Sequence, residues 1–139
     1  MNIGKKWEAW VARNGRENDK LLLFRFNDSH SFGGTHFRHP PPCDFIGIFN
    51  KHPIAIECKA TRHKSFPISA LKKHQLHSLR LFESHGGVAL VVFLIDGHIT
   101  MLKPSEIPVR GSIKKSNTKI IWKHNSLGGH LNEKMDQQF

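Results

Sequence analysis

Residues Val88 to Ile95 read Val-Ala-Leu-Val-Val-Phe-Leu-Ile, eight positions without one polar side chain. The run is far shorter than the roughly 20 apolar residues a membrane span needs. It has the length of a strand, and side chains of a strand alternate between two faces. Here both faces are apolar, so neither can be given to water and both must be covered. This is the most apolar run in the chain and the expected central strand of a sheet. The rest of the chain has to supply its neighbours and its cover.

Neighbours are legible around it. Asp96-Gly97 is a two-residue turn signal leading into His98 to Leu102, so Val88–Ile95 should return as a hairpin. Upstream, Asp44 to Phe49 and Ile54 to Lys59 are two candidate strands, with Asn50 and Lys51 in the short link between them, which predicts another hairpin. Leu21 to Phe26 reads as a short buried strand. Cover comes from two helices. Ile3, Trp7, Trp10 and Val11 form the i, i+4, i+7, i+8 stripe of an amphipathic helix over residues 3 to 13. Ser69 is a plausible cap for a second helix running to about Ser84, with Leu71, Leu76, Leu79 and Phe82 as its apolar side chains and Gly86-Gly87 as its stop. Asn27 to Pro42, rich in Gly, Pro, Ser and His, reads as a loop. After Lys103 the pattern weakens; Ile120 to Trp122 is a candidate for one more short strand, and roughly the last 15 residues are expected to be poorly ordered. The expectation is one α/β domain over residues 1–139, its core at about 3–105 and a basic extension over 106–139.

Charge narrows the partners. The 139 residues carry 21 Lys and Arg against 11 Asp and Glu, a formal net charge of +10. Such an excess suits a polyanion, nucleic acid first. No apolar run reaches membrane length, and Trp7, Glu8 and Trp10 stand where a signal peptide needs an apolar stretch. The 2 cysteines fit a reducing compartment rather than a disulfide framework. A cytoplasmic protein with no membrane partner is the expectation.

Chemistry concentrates at Pro42-Cys43-Asp44 and Glu57-Cys58-Lys59. Strand alternation places Glu57 and Lys59 on one face and Cys58 on the other. The hairpin brings Asp44 alongside Glu57, and two converging carboxylates repel unless a cation lies between them. Magnesium suits hard oxygen ligands, and manganese is its natural substitute. On spacing alone, however, an Asp and a Glu-x-Lys arise often by chance, as structural charges. Glu8, at the edge of the first helix's stripe, is either a solvated side chain or a contributor to the site. Gln75 lies within the buried stripe of its helix between Leu71 and Leu79, where its amide needs a partner, either backbone or the site. His36, His39 and Cys43 have ligand-like spacing, but no second pair completes a zinc set. Arg38, Lys72, Lys73, and Lys114 and Lys115 within the basic stretch Arg110 to Lys123 are candidate phosphate contacts, with solvated surface charge as the alternative.

Three runs, Thr35-His36-Phe37-Arg38-His39-Pro40, Asp44-Phe45-Ile46-Gly47 and Ile56-Glu57-Cys58-Lys59-Ala60-Thr61, together with Gly4-Lys5-Lys6-Trp7-Glu8, Ser65-Phe66-Pro67-Ile68 and His74-Gln75, resemble the RecU-type Holliday junction resolvases. These belong to the restriction-endonuclease-like PD-(D/E)xK nucleases. The resemblance implies a restriction-endonuclease-like core, a central mixed β-sheet flanked by helices. It implies a magnesium-dependent endonuclease that resolves four-way DNA junctions by paired nicks, acting as a homodimer. It also implies metal ligation by Asp44, Glu57 and the backbone carbonyl of Cys58, with Lys59 as catalytic lysine and Glu8 and Gln75 in support. Two other readings stand beside it: a nicking, restriction or end-processing nuclease on the same fold, and a non-enzymatic basic nucleic-acid-binding protein.

Overall fold

The computed structural model describes residues 2–26 and 40–115. Phe32, His36, Phe37, Arg38, His39 and the expected strand Ile120 to Trp122 lie outside the described residues. A five-stranded mixed sheet forms the middle of the fold. Its strands are β1 (Leu21–Arg25), β2 (Phe45–Phe49), β3 (His52–Thr61), β5 (Val88–Ile95) and β6 (His98–Leu102), hydrogen-bonded in the order β1-β2-β3-β5-β6. Only β3 and β5 run parallel; the other neighbours are antiparallel. β3 therefore takes the centre and β5 lies beside it, still with strands on both edges. All eight residues of β5 are buried, as its composition requires.

Helix α1 (Ile3–Glu17) covers one face and helix α2 (Lys73–Ser84) the other. β3 and β5 divide their side chains between the two layers. Ile54, Ile56, Cys58, Leu90, Val92 and Leu94 pack with Trp7 and Val11 of α1, while Ala55, Ala89, Val91, Phe93 and Ile95 pack with Leu79 of α2. The Trp7 indole N–H donates to the Val92 carbonyl at 3.0 Å and fixes α1 to the sheet. α1 runs four residues past the expected end at Arg13. Gly15 makes this possible, since its missing side chain leaves room for Leu23 of β1, which a Cβ would approach at 3.0 Å.

Turn chemistry worked locally. Asn50 and Lys51, with φ of 47° and 71°, close the β2–β3 hairpin, and Asp96 and Gly97, with φ of 48° and 76°, close β5–β6. Two consecutive left-handed residues give the turn whose twist matches antiparallel strands. At the end of α2, Gly86 (φ 96°) donates to Glu83 and Gly87 donates to Phe82, satisfying two of the helix's last carbonyls.

Three expectations need correction. β1 is not a buried strand: α1 covers Leu21 and Leu23, but α2 does not reach this edge, and Leu22 (52% exposed), Phe24 (61%) and Ile48 of β2 (49%) face outward. Ser69 does not cap α2. It lies in a short 3-10 turn, Ile68–Ala70, and α2 begins at Lys73 after Lys72, which makes no side-chain capping bond. The packed region also continues past residue 105. β4 (Ser65–Pro67) pairs with β7 (Ser112–Lys114) as a second, two-stranded sheet, and Ile107 and Ile113 are buried against Phe66, Leu79 and Phe93.

Candidate active site

The site is built where the β2–β3 ladder ends. Asp44 directly precedes β2; its N–H donates to Ile56 at 3.1 Å and its carbonyl accepts from Phe26 at 2.9 Å. Its carboxylate turns toward β3, where Oδ2 accepts the Cys58 N–H at 2.8 Å. Asp44 thus spans Glu57 by bonding to the residues on either side of it. Glu57 points to the α2 side, as does Lys59 two residues on, and their Oε1 and Nζ atoms are 2.9 Å apart. From α2, the buried Gln75 reaches back and its Oε1 accepts from Lys59 Nζ at 3.3 Å. Its amide partner is therefore the lysine of the site, not backbone. Cys58 points the other way into the α1 layer.

Glu8 is not a free surface carboxylate. It faces Arg25 at the end of β1 and forms an ion pair with its guanidinium. Its charge bears on Asp44 and Glu57, adding to the upward push on both carboxyls. Asn2, Lys5, Glu8, Cys58, Lys59 and Phe66 line a cleft of about 260 Å³, which reaches Glu8 and Lys59 but is not lined by Asp44 or Glu57. Arg25 was not singled out from sequence. It lies over the Phe45 ring at 6.0 Å, and its charge opposes the rise at Asp44. Its place follows from the pairing Arg25↔Phe45, which joins segments separated by residues 27–39, and no local pattern announces that pairing.

Burial dominates the electrostatics of the two carboxyls. Burial, then the neighbouring Asp44 charge, pushes the Glu57 carboxyl up to about 7 against the pull of Lys59. Burial is also the main cause raising Asp44, opposed by the hydrogen bond from Cys58. Glu57 is only 2% exposed, and its Oε2 has no hydrogen-bond partner. A buried carboxylate oxygen without a donor costs free energy, and it is the atom that a cation would satisfy. Among the described residues no three or more His, Cys, Asp or Glu side chains are arranged to hold a metal. The carboxylates that converge here are Asp44 and Glu57. That suits magnesium, which is commonly held by one or two carboxylates with waters and substrate phosphate completing its shell.

The thiols take no part. Burial pushes Cys43 up to about 12, and its Sγ donates to the Phe45 carbonyl at 3.1 Å; burial likewise raises Cys58 well above the ordinary thiol value. Neither thiol is a ready nucleophile at neutral pH, and the expected zinc partners of Cys43, His36 and His39, lie outside the described residues. Of the candidate phosphate contacts, Lys72 and Lys73 are exposed at the start of α2 and Lys114 is exposed on β7. Lys115 is instead engaged with Asp96 at 2.9 Å. Among the described residues no helix is long and apolar enough to cross a membrane.

The Holliday junction resolvase RecU of Shouchella clausii is 29% identical over 106 residues, covering 69% of this chain and 51% of that one. The Holliday junction resolvase RecU of Streptococcus suis is 32% identical over 70 residues, covering 50% of this chain and 32% of that one. The chain spans about half, or less, of the length of these relatives. In three dimensions the chain resembles Archaeoglobus fulgidus Hjc, a Holliday junction resolvase, with a TM-score of 0.57 over 94% of this chain and 97% of that one, at 13% identity. That likeness establishes the restriction-endonuclease-like fold, a mixed sheet between helices. The sequence profile of the family described as RecU, recombination protein U, matches residues 23–122. The chain belongs to the RecU family.

Proposed function

We propose that this protein is a magnesium-dependent DNA endonuclease that resolves four-way junctions by paired nicks, acting as a homodimer. The observation that carries the nuclease reading is the buried, unpartnered Glu57 Oε2 beside Asp44, with Lys59 on the same face. A non-enzymatic DNA-binding protein has no use for buried converging carboxylates, which repel both one another and phosphate. The junction as substrate rests on the relatives, two of them Holliday junction resolvases by name.

In this reading Asp44 and Glu57 would hold the cation, with the Cys58 carbonyl, which leaves its strand on the same edge as the N–H bound to Asp44. A divalent cation held there would supply positive charge near the scissile phosphate and would lower the pKa of a water. Lys59 would turn from Glu57 toward the attacked phosphate, with the Gln75 amide oxygen as the remaining acceptor that guides its ammonium. Glu8, tethered by Arg25, takes a supporting position at the mouth of the cleft. Exposed Lys72, Lys73 and Lys114 track the flanking phosphates, as does Arg38; Lys115 joins them by releasing Asp96.

The homodimer has its own support. Leu22 and Ile48 are cross-strand partners on the uncovered face of β1–β2, and Phe24 lies beside them. Such a contiguous apolar patch fits an interface, and a two-fold pair of sites matches two nicks in opposed strands.

The decisive experiment gives purified protein four DNA substrates, namely a four-way junction, a flap, a nicked duplex and a plain duplex, with and without magnesium. The junction should be cut into paired nicked duplexes in magnesium or manganese but not in EDTA. Glu57→Ala and Asp44→Asn should abolish cleavage and leave binding unchanged or tighter. Cleavage at the parent rate by Glu57→Ala would remove the site assignment. Plain duplex cut as readily as junction would favour another nuclease role on the same fold.

A further inference from the structure

A second cleft, of about 520 Å³, lies on the flank of α1 away from Glu8. Its walls are Ile3, Trp7, Ala9, Trp10 and Leu94, and its rim carries Lys6, Arg13 and Arg62; no acidic residue lines it. The volume is that of a small-ligand site, for which about 300–1,000 Å³ is usual. The two indoles are stacked, with centroids 5.0 Å apart and planes 18° from parallel. Trp7 is buried and locked by its bond to Val92, so Trp10 rests on a fixed base. Packing α1 onto the sheet explains Trp7. Trp10 also packs against that core, and its half-exposed remainder faces a cavity rimmed by three exposed cations.

Aromatic walls with a cationic rim select a flat apolar ring carrying an anion, the chemistry of a nucleotide. The position agrees. Arg62 follows β3 three residues beyond Lys59, about 10 Å along an extended chain, and the two clefts flank the same first turns of α1.

We propose that this cleft is a stacking site for one unpaired nucleotide of the DNA strand engaged at Asp44 and Glu57, its base on Trp10 and its phosphate at Arg13 and Arg62. The assignment rests on the nuclease reading above for the identity of the strand. It adds a means of preferring DNA with unpaired bases, since a base held in a duplex cannot enter.

The test reads tryptophan fluorescence in a Trp122→Phe background, so that only Trp7 and Trp10 emit. Oligothymidylate, which cannot form a duplex with itself, is titrated in excess EDTA, where binding is read without cleavage. Blunt duplex and oligoglutamate are titrated in parallel, and thermal melting checks the fold of every variant. Saturable quenching by oligothymidylate is expected. Trp10→Ala should weaken it about tenfold or more, while blunt-duplex affinity changes less than about twofold. Trp10→Phe should restore most of the affinity, and Arg62→Gln, at an exposed position, should weaken it several-fold. Absence of quenching, equal losses on single strand and duplex, or equal quenching by oligoglutamate would each overturn the proposal. The two readings fail separately. A Glu57→Ala protein that still cuts at the parent rate removes the nuclease site and leaves the quenching result standing. Normal nuclease behaviour without quenching removes the cleft alone.

Discussion

At the scale of single residues, Glu57 sets the terms. Its carboxyl is raised from 4.5 to about 7, first by burial and then by Asp44. A folded state that holds a proton more tightly than the unfolded chain gains stability at low pH. This contribution is complete below the unfolded value of 4.5 and is lost as pH rises through about 7. Without divalent cation, the melting temperature should therefore fall across that window. Glu57→Gln should flatten the fall, and magnesium should raise the midpoint more at pH 8 than at pH 5, both read by calorimetry. A magnesium effect that does not depend on pH or on Glu57 would place the cation elsewhere. Lys59 is a different case. It partners Glu57 now and is proposed to meet phosphate later, so Lys59→Ala should cut the single-turnover rate by about 100-fold or more, as loss of a transition-state charge contact does. Calcium, with its looser geometry, should support binding of DNA without cleavage. Asp44 and Glu57 were readable as a pair, because a hairpin with an evident turn joins them. Gln75 was readable because an amide in an apolar stripe demands a partner. Arg25 was not, since it meets Glu8 and Phe45 only through the fold.

At the scale of elements, the β1–β2 pairing holds the site's first carboxylate in place. Gly47 is the contact point: a Cβ there would lie 1.8 Å from the Leu22 carbonyl oxygen of the paired strand. No side chain can move to relieve that clash, because the obstacle is backbone. Gly47→Ala should cost about 1–3 kcal/mol or more and reduce activity by displacing Asp44, three residues away. Gly86→Ala is the contrast. Nothing lies within 4 Å of its would-be Cβ, and only the φ of 96° opposes the change. Its cost should be about 1–2 kcal/mol, with activity retained. Urea denaturation of both, with unchanged slopes and lowered midpoints, would show the order.

At the scale of the whole molecule, charge and the uncovered sheet face act together. With a net charge of +10, the proposed DNA binding should be steeply salt-dependent, because each phosphate contact releases counterions. If β1–β2 is the dimer face, Phe24→Lys should yield monomers while its melting temperature changes little, since Phe24 is 61% exposed in the protomer. Native mass spectrometry would report about twice the chain mass for the parent and the single mass for the variant. Junction cleavage by the variant should then yield unpaired nicks. A parent protein that remains monomeric on DNA would remove the paired-nick mechanism and leave the chemistry of each site intact.

Local physics made much of this chain legible. An eight-residue run without a polar side chain has only one economical environment, and left-handed turn residues and a glycine stop act over a few residues; these determined β5, both hairpins and the end of α2. The stripe on α1 and the alternation along β3 determined which side chains enter the core and that Glu57 and Lys59 share a face. What tertiary structure decided has long sequence separation in common. β1 reads as buried because it is apolar, yet whether its second face is covered depends on where α2 stops. Ser65–Pro67 and Ser112–Lys114 are too short to signal strands alone and are stabilised by pairing with each other. The meeting of Glu8 with Arg25, and of Gln75 with Lys59, depends on how two helices settle on opposite faces of one sheet. Periodicity and turn chemistry are encoded in neighbouring residues, whereas registers and docking are free-energy minima of the whole packed chain.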